Sequence, residues 1–337
     1  MDFPGEKLVI KLWETVAEKG IGGLFKPWQM RREGRASINL KREEMLAIAQ
    51  AEYDADRIRR GEIVLESVNS PYFLPTSINS WPNANDDSFG HQYLAQTASN
   101  LVISETVRRE ANVTKALLHA ESSLEDDPQT PPDTSVDDDW LFRWRDSASQ
   151  VSSEELQYLW GKLLAGEVKS PGTYSLRTLE FIRNLSQQEA EAISTLSPFV
   201  LGDNLIFREA KELLEEAGVD FGFLLNMQQL GILSGVEAVG VEITWKSLNT
   251  SRYERAVTSN SMVLVMTADD PNHTISLPIY QVSAIGRQVI GLGKFEPNIK
   301  YLRKVGEHLK SQGVKVELAQ YVEVSPNKGR CFNSQQL

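Results

Sequence analysis

Side chains that could catalyse a reaction or bind a metal are few in this sequence and lie far apart. The four histidines are His91, His119, His273 and His308, and none stands in a His-x-x-x-His pattern or beside a cysteine. The one cysteine, Cys331, lies close to the end of the chain. Zinc sites and Cys-His catalytic pairs need several such groups together, and a disulfide needs two cysteines. We therefore predict no catalytic, cofactor or metal site and no internal disulfide.

Three short motifs could carry chemistry, but each has a simpler interpretation. Asp137-Asp138-Asp139 offers carboxylates to a cation, yet adjacent carboxylates in a flexible segment favour a helix cap or a charged tether. Glu167-Val168-Lys169 has the Glu-x-Lys form of some nucleases, but it lies at a helix end instead of on a strand. Gly20-Ile21-Gly22-Gly23 lacks the preceding strand and the Gly-Lys-Ser/Thr of a phosphate-binding loop. An enzyme is not predicted.

Signals for helix starts and ends agree best between residues 140 and 201. Ser152 and Glu155 have capping-box spacing, in which each side chain accepts a hydrogen bond from the backbone N–H of the other residue. Ser186 and Glu189 repeat that spacing. Leucines recur at helical intervals, and a Pro-Gly pair interrupts them. This pattern predicts three amphipathic helices with short connections, and such helices favour an antiparallel packed unit.

Aromatic side chains are concentrated in the same region. Trp140, Phe142 and Trp144 fall within five residues, and Trp160 follows on the next predicted helix. Large aromatic side chains dominate core packing, so we predict that these four fill the core of the unit. A ligand cage is the alternative.

Several motifs between residues 139 and 179 are specific enough to compare with known families. They are Asp139-Trp140, Ser153-Glu154-Glu155-Leu156-Gln157, Leu159-Trp160-Gly161-Lys162-Leu163-Leu164-Ala165-Gly166-Glu167, Pro171-Gly172 and Ser175-Leu176-Arg177-Thr178-Leu179. Together they resemble the signature of an uncharacterised bacterial family, a domain of unknown function, over Arg108 to about Ala192. The resemblance implies a bacterial cytosolic protein of unassigned role, with relatives near phage-defence genes. It implies no catalytic residues.

Composition and charge narrow the classes of function. With 337 residues, 41% of them hydrophobic, the chain can bury a sizeable core as an ordinary soluble globular protein. A net charge of −11 argues against affinity for nucleic acid over the whole surface, although a local basic face can exist. No apolar run reaches transmembrane length. We expect a cytoplasmic location, with attachment to the inner membrane as the alternative.

The N-terminal segment supplies the candidate contact site. Apolar side chains form one helical stripe and continue beyond the glycines, where cations such as Lys26 and Arg31 are interleaved with them. The candidate residues are Leu8, Leu12, Trp13, Val16, Leu24, Phe25, Trp28 and Met30. Docking on the protein itself or on a partner subunit is the favoured interpretation, and contact with a membrane surface is the alternative.

The predicted domain organisation has five parts. Residues 1–60 form amphipathic and charged helices, and 61–125 form a loop followed by a helical segment. Residues 126–139 form an acidic linker, because 121–139 contains eight acidic residues, no Lys or Arg, and three prolines. The capped three-helix core occupies 140–201, and a last module occupies 202–337.

The last module alternates between helical and strand patterns. Helices are predicted at 207–217, 221–230, 283–290 and 299–312, and strands at 239–245, 262–267, 274–280 and 314–324. Asp269-Asp270-Pro271-Asn272 predicts a turn that joins the second and third strands as a β-hairpin. The order of helix, helix, hairpin and helix is that of a winged-helix-like module. The fold class is therefore mainly α, a helical core with a C-terminal α+β winged-helix-like module.

Winged helices often bind DNA through their second or third helix, but residues 221–230 contain no Lys or Arg to contact phosphates. The cations Lys246, Arg252, Arg255, Lys300, Arg303, Lys304 and Lys310 are predicted to form solvated faces. We predict a non-enzymatic macromolecular-interaction protein, regulatory or associated with phage defence, that binds a protein partner or itself. A membrane-surface effector and a DNA-binding winged-helix regulator are the alternatives.

Overall fold

The computed structural model describes residues 4–21, 38–62, 87–237, 241–325 and 328–337. Over these ranges the chain forms eleven α-helices and two antiparallel sheets. It divides into two compact units, Met1–Gly172 and Thr173–Leu337. The coarse prediction of a mainly helical chain with an α+β C-terminal part is confirmed. The division falls inside the predicted core of residues 140–201.

The first unit is helical throughout its described ranges. Its helices are α1 Glu6–Glu18, α2 Ile38–Arg59, α3 Asp87–Leu124, α4 Asp138–Ser149 and α5 Glu154–Lys169. The long helix α3 lies at the centre, and each of the other four packs against it. Its inward side carries the small buried residues Ala111, Val113, Ala116 and Ala120, which let neighbouring helices approach closely.

Of the four aromatic residues predicted to fill the core of the first unit, the three tryptophans do so and the phenylalanine does not. Trp140, Trp144 and Trp160 are all buried, and the indole N–H of Trp144 donates to the backbone carbonyl of Trp160 at 2.8 Å. Phe142 is instead 51% exposed. It lies two residues after Trp140, about 200° around the helix, and therefore on the opposite face.

Helix α5 begins one residue later than the sequence predicted. Its N-cap is Ser153, whose hydroxyl accepts from the N–H of Leu156 at 3.3 Å. The Ser152 hydroxyl accepts instead from the guanidinium of Arg108, also at 3.3 Å. The capping box predicted at Ser152 and Glu155 is therefore wrong.

The second unit combines helices with short and long strands. Its helices are α6 Leu176–Arg183, α7 Gln187–Leu196, α8 Lys211–Glu216, α9 Phe221–Gln229, α10 Ala284–Ile290 and α11 Ile299–Ser311. A 3₁₀ turn at Ser197–Phe199 follows α7. Its strands are β1 Leu205–Phe207, β2 Leu233–Ser234, β3 Val241–Lys246, β4 Tyr253–Ser259, β5 Met262–Ala268, β6 Thr274–Val282, β7 Lys315–Ser325 and β8 Lys328–Gln336.

One sheet is built around β6. Strand β1 pairs along one edge of it, at residues 279–281, and β2 and β3 pair along the other edge, at 281–282 and 274–279. All three pairings are antiparallel. The helix predicted to start at Phe207 begins at Lys211, because residues 205–207 belong to this sheet.

The other sheet has the order β4-β5-β7-β8. Strands β4 and β5 form a hairpin whose turn contains Asn260, at φ 52°. The predicted hairpin between β5 and β6 is wrong, since these strands belong to different sheets. Helix α11 packs on this sheet through its apolar side, and the buried hydroxyl of Tyr301 on that side accepts from the N–H of Phe207 at 2.7 Å.

Candidate interaction surface

Helix α9 of the second unit presents an uncharged face to solvent. The Asp220 carboxylate caps the helix by accepting from the N–H of Phe223 at 2.8 Å. Leu224 and Met227 are buried and fix the inner side of the helix. Phe221 lies on the outer side and is 56% exposed. An exposed phenylalanine on an otherwise uncharged helix face is a feature of contact surfaces, because aromatic side chains supply much of the buried area in interfaces.

Exposed carboxylates precede this face along the chain. Helix α8 and the segment that follows it expose four acidic side chains, Glu212, Glu215, Glu216 and Asp220. The single cation there, Lys211, pairs with Glu215 at 3.5 Å. We call Phe221 with Gly222, Leu225, Asn226 and Gln229, together with these four carboxylates, the α8–α9 surface. It combines one exposed phenylalanine with the four carboxylates that precede it in the sequence.

Of the eight N-terminal residues predicted to contact a partner or a membrane, three are buried, one is half-buried and four lie outside the described residues. Leu8, Leu12 and Val16 are fully buried, because α1 packs with this stripe against α3 and α5 of the same unit. Trp13 is half-buried beside them. The other four predicted contact residues, Leu24, Phe25, Trp28 and Met30, lie outside the described residues. Within the described ranges, no helix is both long and apolar enough to cross a membrane.

Three of the four histidines have described side chains, and each of the three contacts a different group. The ring of His119 packs edge-on against Tyr158, and burial lowers its pKa. His273 packs edge-on against Tyr253, whereas His308 lies 3.3 Å from a carboxylate oxygen of Glu209. The described residues contain no cluster of three or more His, Cys, Asp or Glu side chains that could hold a metal.

The motifs that resembled chemical sites serve local structure. The carboxylate of Glu167 is buried and accepts from the N–H of Gly172 at 2.5 Å, which holds the turn after α5. Lys169 of the same motif turns away to pair with Asp127 at 2.5 Å. Asp137 caps α4 by accepting from the N–H of Trp140 at 2.9 Å, so the interpretation of the acidic run as a helix cap is confirmed at this residue.

A charged cleft of 530 Å³ lies in the first unit between α2 and α3. There Glu105 accepts hydrogen bonds from Arg108 at 2.7 Å and Arg109 at 2.9 Å. These bonds lower the pKa of Glu105 to about 2. The carboxyl group is therefore ionised at neutral pH and cannot donate a proton, which general acid catalysis requires.

A polar cleft of 730 Å³ lies in the second unit beside the β4–β5 turn. Arg287 and Asp203 are its charged lining residues, and Asp203 has φ 73°. Gln288 of the lining is engaged in structure, since its side-chain oxygen accepts from the N–H of Ser175 at 3.0 Å and from the hydroxyl of Thr178. The lining contains no histidine or cysteine, so it supplies no nucleophile–base pair of the common kinds.

Sequence reasoning missed the α8–α9 surface, although its signal was present. The absence of cations in residues 221–230 was noted only as an argument against DNA binding. The same stretch places Phe221 directly after the capping residue Asp220, at the first position of α9. A large apolar residue at the start of a capped helix was the available sign of a contact surface.

The chain was compared with protein families, curated proteins and solved structures. The model of a family described as "Protein of unknown function (DUF2806)" matches residues 98–306. The match is longer than the resemblance expected over residues 108–192, and it includes most of the second unit. No curated protein and no solved structure matches.

Proposed function

The chain belongs to the DUF2806 family, whose function is unknown, and from this premise we propose that it acts without catalysis, by binding another protein through the α8–α9 surface. The proposed setting is regulatory, in phage defence as the sequence resemblance implies. The observation that carries the proposal is the 56% exposure of Phe221 at the start of α9, directly after the Asp220 carboxylate.

The arrangement around β6 supports a winged-helix-like second unit. Along the chain, helix α7 is followed by strand β1, helices α8 and α9, and then strands β2 and β3. Strand β6 lies between β1 on one side and β2 with β3 on the other. The hairpin of β4 and β5 is inserted between β3 and β6, where such modules carry a wing. On this interpretation α9 occupies the position of the recognition helix.

Charge on α9 supports a protein partner in preference to DNA. A helix that enters a DNA groove is surrounded by phosphates and needs cations to offset their charge. Helix α9 carries none, and the four exposed carboxylates that precede it in the sequence would repel phosphates. A partner that offers an apolar pocket with Lys or Arg around it matches this surface in both respects.

The membrane alternative has less support from the described residues. Three of its proposed contacts, Leu8, Leu12 and Val16, are covered by helices of their own unit. Their exposure to lipid would require α1 to leave that core. Burial of a leucine or valine side chain stabilises a fold by about 1.5–3 kcal/mol, so releasing all three is costly.

Site-specific photo-crosslinking tests the proposal. A photoreactive phenylalanine analogue is placed at Phe221, and separately at Phe142, in cells of the source organism. Phe142 is a matched control because it is also a helical phenylalanine, 51% exposed. We expect discrete protein adducts from position 221 that position 142 does not give. A second copy of the chain in the adduct would identify self-association.

Substitution of the same residues completes the test. Phe221→Asp should abolish the adducts formed from a probe at neighbouring Leu225, whereas Phe142→Asp should leave them unchanged. A probe at Phe221 that forms no adducts, or forms the same adducts as the probe at Phe142, would contradict the proposal.

A further inference from the structure

Helix α11 separates its cations from its apolar residues. Tyr301, Leu302, Val305, Gly306 and Leu309 are buried on one side. On the other side, Lys300, Arg303, Lys304 and Lys310 are exposed. At 100° per residue these four cations fall within an arc of about 120°, so they share one face. We call them the α11 basic face.

The cations of the α11 basic face have no carboxylate partner among the described residues. Two exposed cations elsewhere in the second unit are paired with carboxylates, Lys211 with Glu215 and Arg252 with Glu254. Arg303 donates instead to the side-chain oxygen of Gln335 at 2.8 Å, and Lys310 donates to the carbonyl of Leu337. The exposed Glu307 lies within the same arc, so four cations and one carboxylate leave this face with a net positive charge.

A concentration of positive charge on a protein of net charge −11 creates a local field opposite to that of the rest of the surface. Lys300 and Lys310 are ten residues apart, about 15 Å along the helix axis. Duplex DNA presents one negative charge per about 1.7 Å of its axis, so a 15 Å contact offers several phosphates to these four cations. The cations share one face along the helix, which suits a regular phosphate backbone.

We propose that the α11 basic face binds the phosphate backbone of double-stranded DNA. The site differs from the α8–α9 surface, so the inference goes beyond protein binding and makes the chain a link between DNA and a protein partner. The contact is independent of base sequence, because phosphates carry no sequence information directly. A lipid surface fits less well, since Ile299 is the only large apolar residue exposed along α11 and interfacial helices need an apolar face.

Titration of a fluorescent duplex with the full chain tests this proposal. The variant replaces Lys300, Arg303 and Lys304 by Gln. The control replaces Lys211, Lys246 and Arg252 by Gln, and so removes the same charge from other exposed positions of the second unit. Anisotropy is measured from about 50 to about 200 mM salt, a range over which phosphate contacts weaken strongly.

The expected result is salt-dependent binding by the wild type that the variant weakens about tenfold or more. Each lost phosphate contact lowers the slope of log affinity against log salt by about 1, so the variant slope should fall by about 2–3. The control should keep the wild-type slope, and circular dichroism should show that both variants are folded.

Three outcomes would overturn the proposal. They are a wild type that does not bind at about 50 mM salt, equal losses in variant and control, and binding to vesicles of anionic lipid without binding to the duplex. A Phe221→Ala variant should bind DNA like the wild type, so failure of DNA binding and failure of the protein contact are distinguishable.

Discussion

Gly161 lies where α5 packs tightly against α3. A Cβ atom at this position would lie 2.6 Å from the Cβ of His119 and 2.8 Å from the carbonyl oxygen of Ala116. Both of these atoms belong to the rigid part of α3, so the added carbon could be accommodated only by separating the helices. The adjacent residue, Trp160, accepts the hydrogen bond of Trp144 and would move as well.

We predict that Gly161→Ala destabilises the protein by about 1–3 kcal/mol, the usual range for overpacking a core. The loss occurs although alanine favours a helix over glycine by about 1 kcal/mol. Urea unfolding measures the change. Gly222→Ala on exposed α9 is the control, because its Cβ would meet only Asp220, at 3.4 Å. Equal stability of Gly161→Ala and wild type would mean that α3 and α5 do not approach this closely.

Individual side chains were predictable where helical direction was taken into account. Trp140 and Trp144 are four residues apart and point the same way into the core. Phe142 was assigned to that core from its type alone, but its position between them places it on the outer face. Residue type thus predicted the cluster, whereas the rotation of 100° per residue decided which of its members is buried.

At the scale of elements, helix boundaries depend on caps. The capping box at Ser186 and Glu189 is confirmed, with both reciprocal hydrogen bonds present. These bonds lower the pKa of Glu189, first through the backbone N–H of Ser186 and then through its hydroxyl. The Glu189 carboxylate therefore stabilises the folded state above its ordinary pKa of 4.5, and this stabilisation is lost as the pH falls.

Ser186→Ala should destabilise the second unit by about 1 kcal/mol, because the N–H of Glu189 loses its acceptor at the start of α7. Thermal unfolding at neutral pH measures the effect. Ser194→Ala is the matched control, since this exposed serine lies inside α7 and bonds only back to the carbonyl of Ala190. The interpretation of α7 as cap-dependent fails if the two variants are equally stable.

Strands were harder to predict than helices because their partners lie far along the chain. Helices α9, α10 and α11 were predicted to within one residue of their observed ends, since caps and apolar spacing are local signals. Strand β5 was paired with its sequence neighbour β6, but it pairs with β4 and β7. Strands β1, β2, β4 and β8 were missed: β1 has three residues and β2 has two, and β4 and β8 carry charged and polar side chains.

The candidate surfaces were predictable only as lists of residue types. The sequence shows the cations of α11, but the groups that these cations contact depend on which strands and termini surround the helix. Arg303, for example, contacts Gln335, which is brought to it by the pairing of β8 with β7. Contacts between residues far apart in the sequence therefore explain both the wrong strand pairing and the surfaces that were not predicted.

At the scale of the whole molecule, each unit contains its own core. In the second unit, Phe199 packs edge-on against Tyr301 with ring centroids 5.2 Å apart. The hydroxyl of Ser259 donates to the carbonyl of Val200 at 2.8 Å. Residues 199–201 thus belong to the core of the second unit. The last module was predicted to begin at residue 202, and a fragment that begins there lacks these core residues.

We therefore predict different behaviour for two fragments. Residues 173–337 should fold alone and unfold in one cooperative transition in urea. The free energy of unfolding should fall by about 1–3 kcal/mol per molar urea. Residues 202–337 should lose that cooperativity, because removal of Phe199 leaves a cavity against Tyr301 and the buried Leu201 is removed as well. Circular dichroism and urea unfolding of both fragments measure the difference. Cooperative unfolding of the shorter fragment at equal stability would mean that α6, α7 and residues 199–201 are not part of the folding unit.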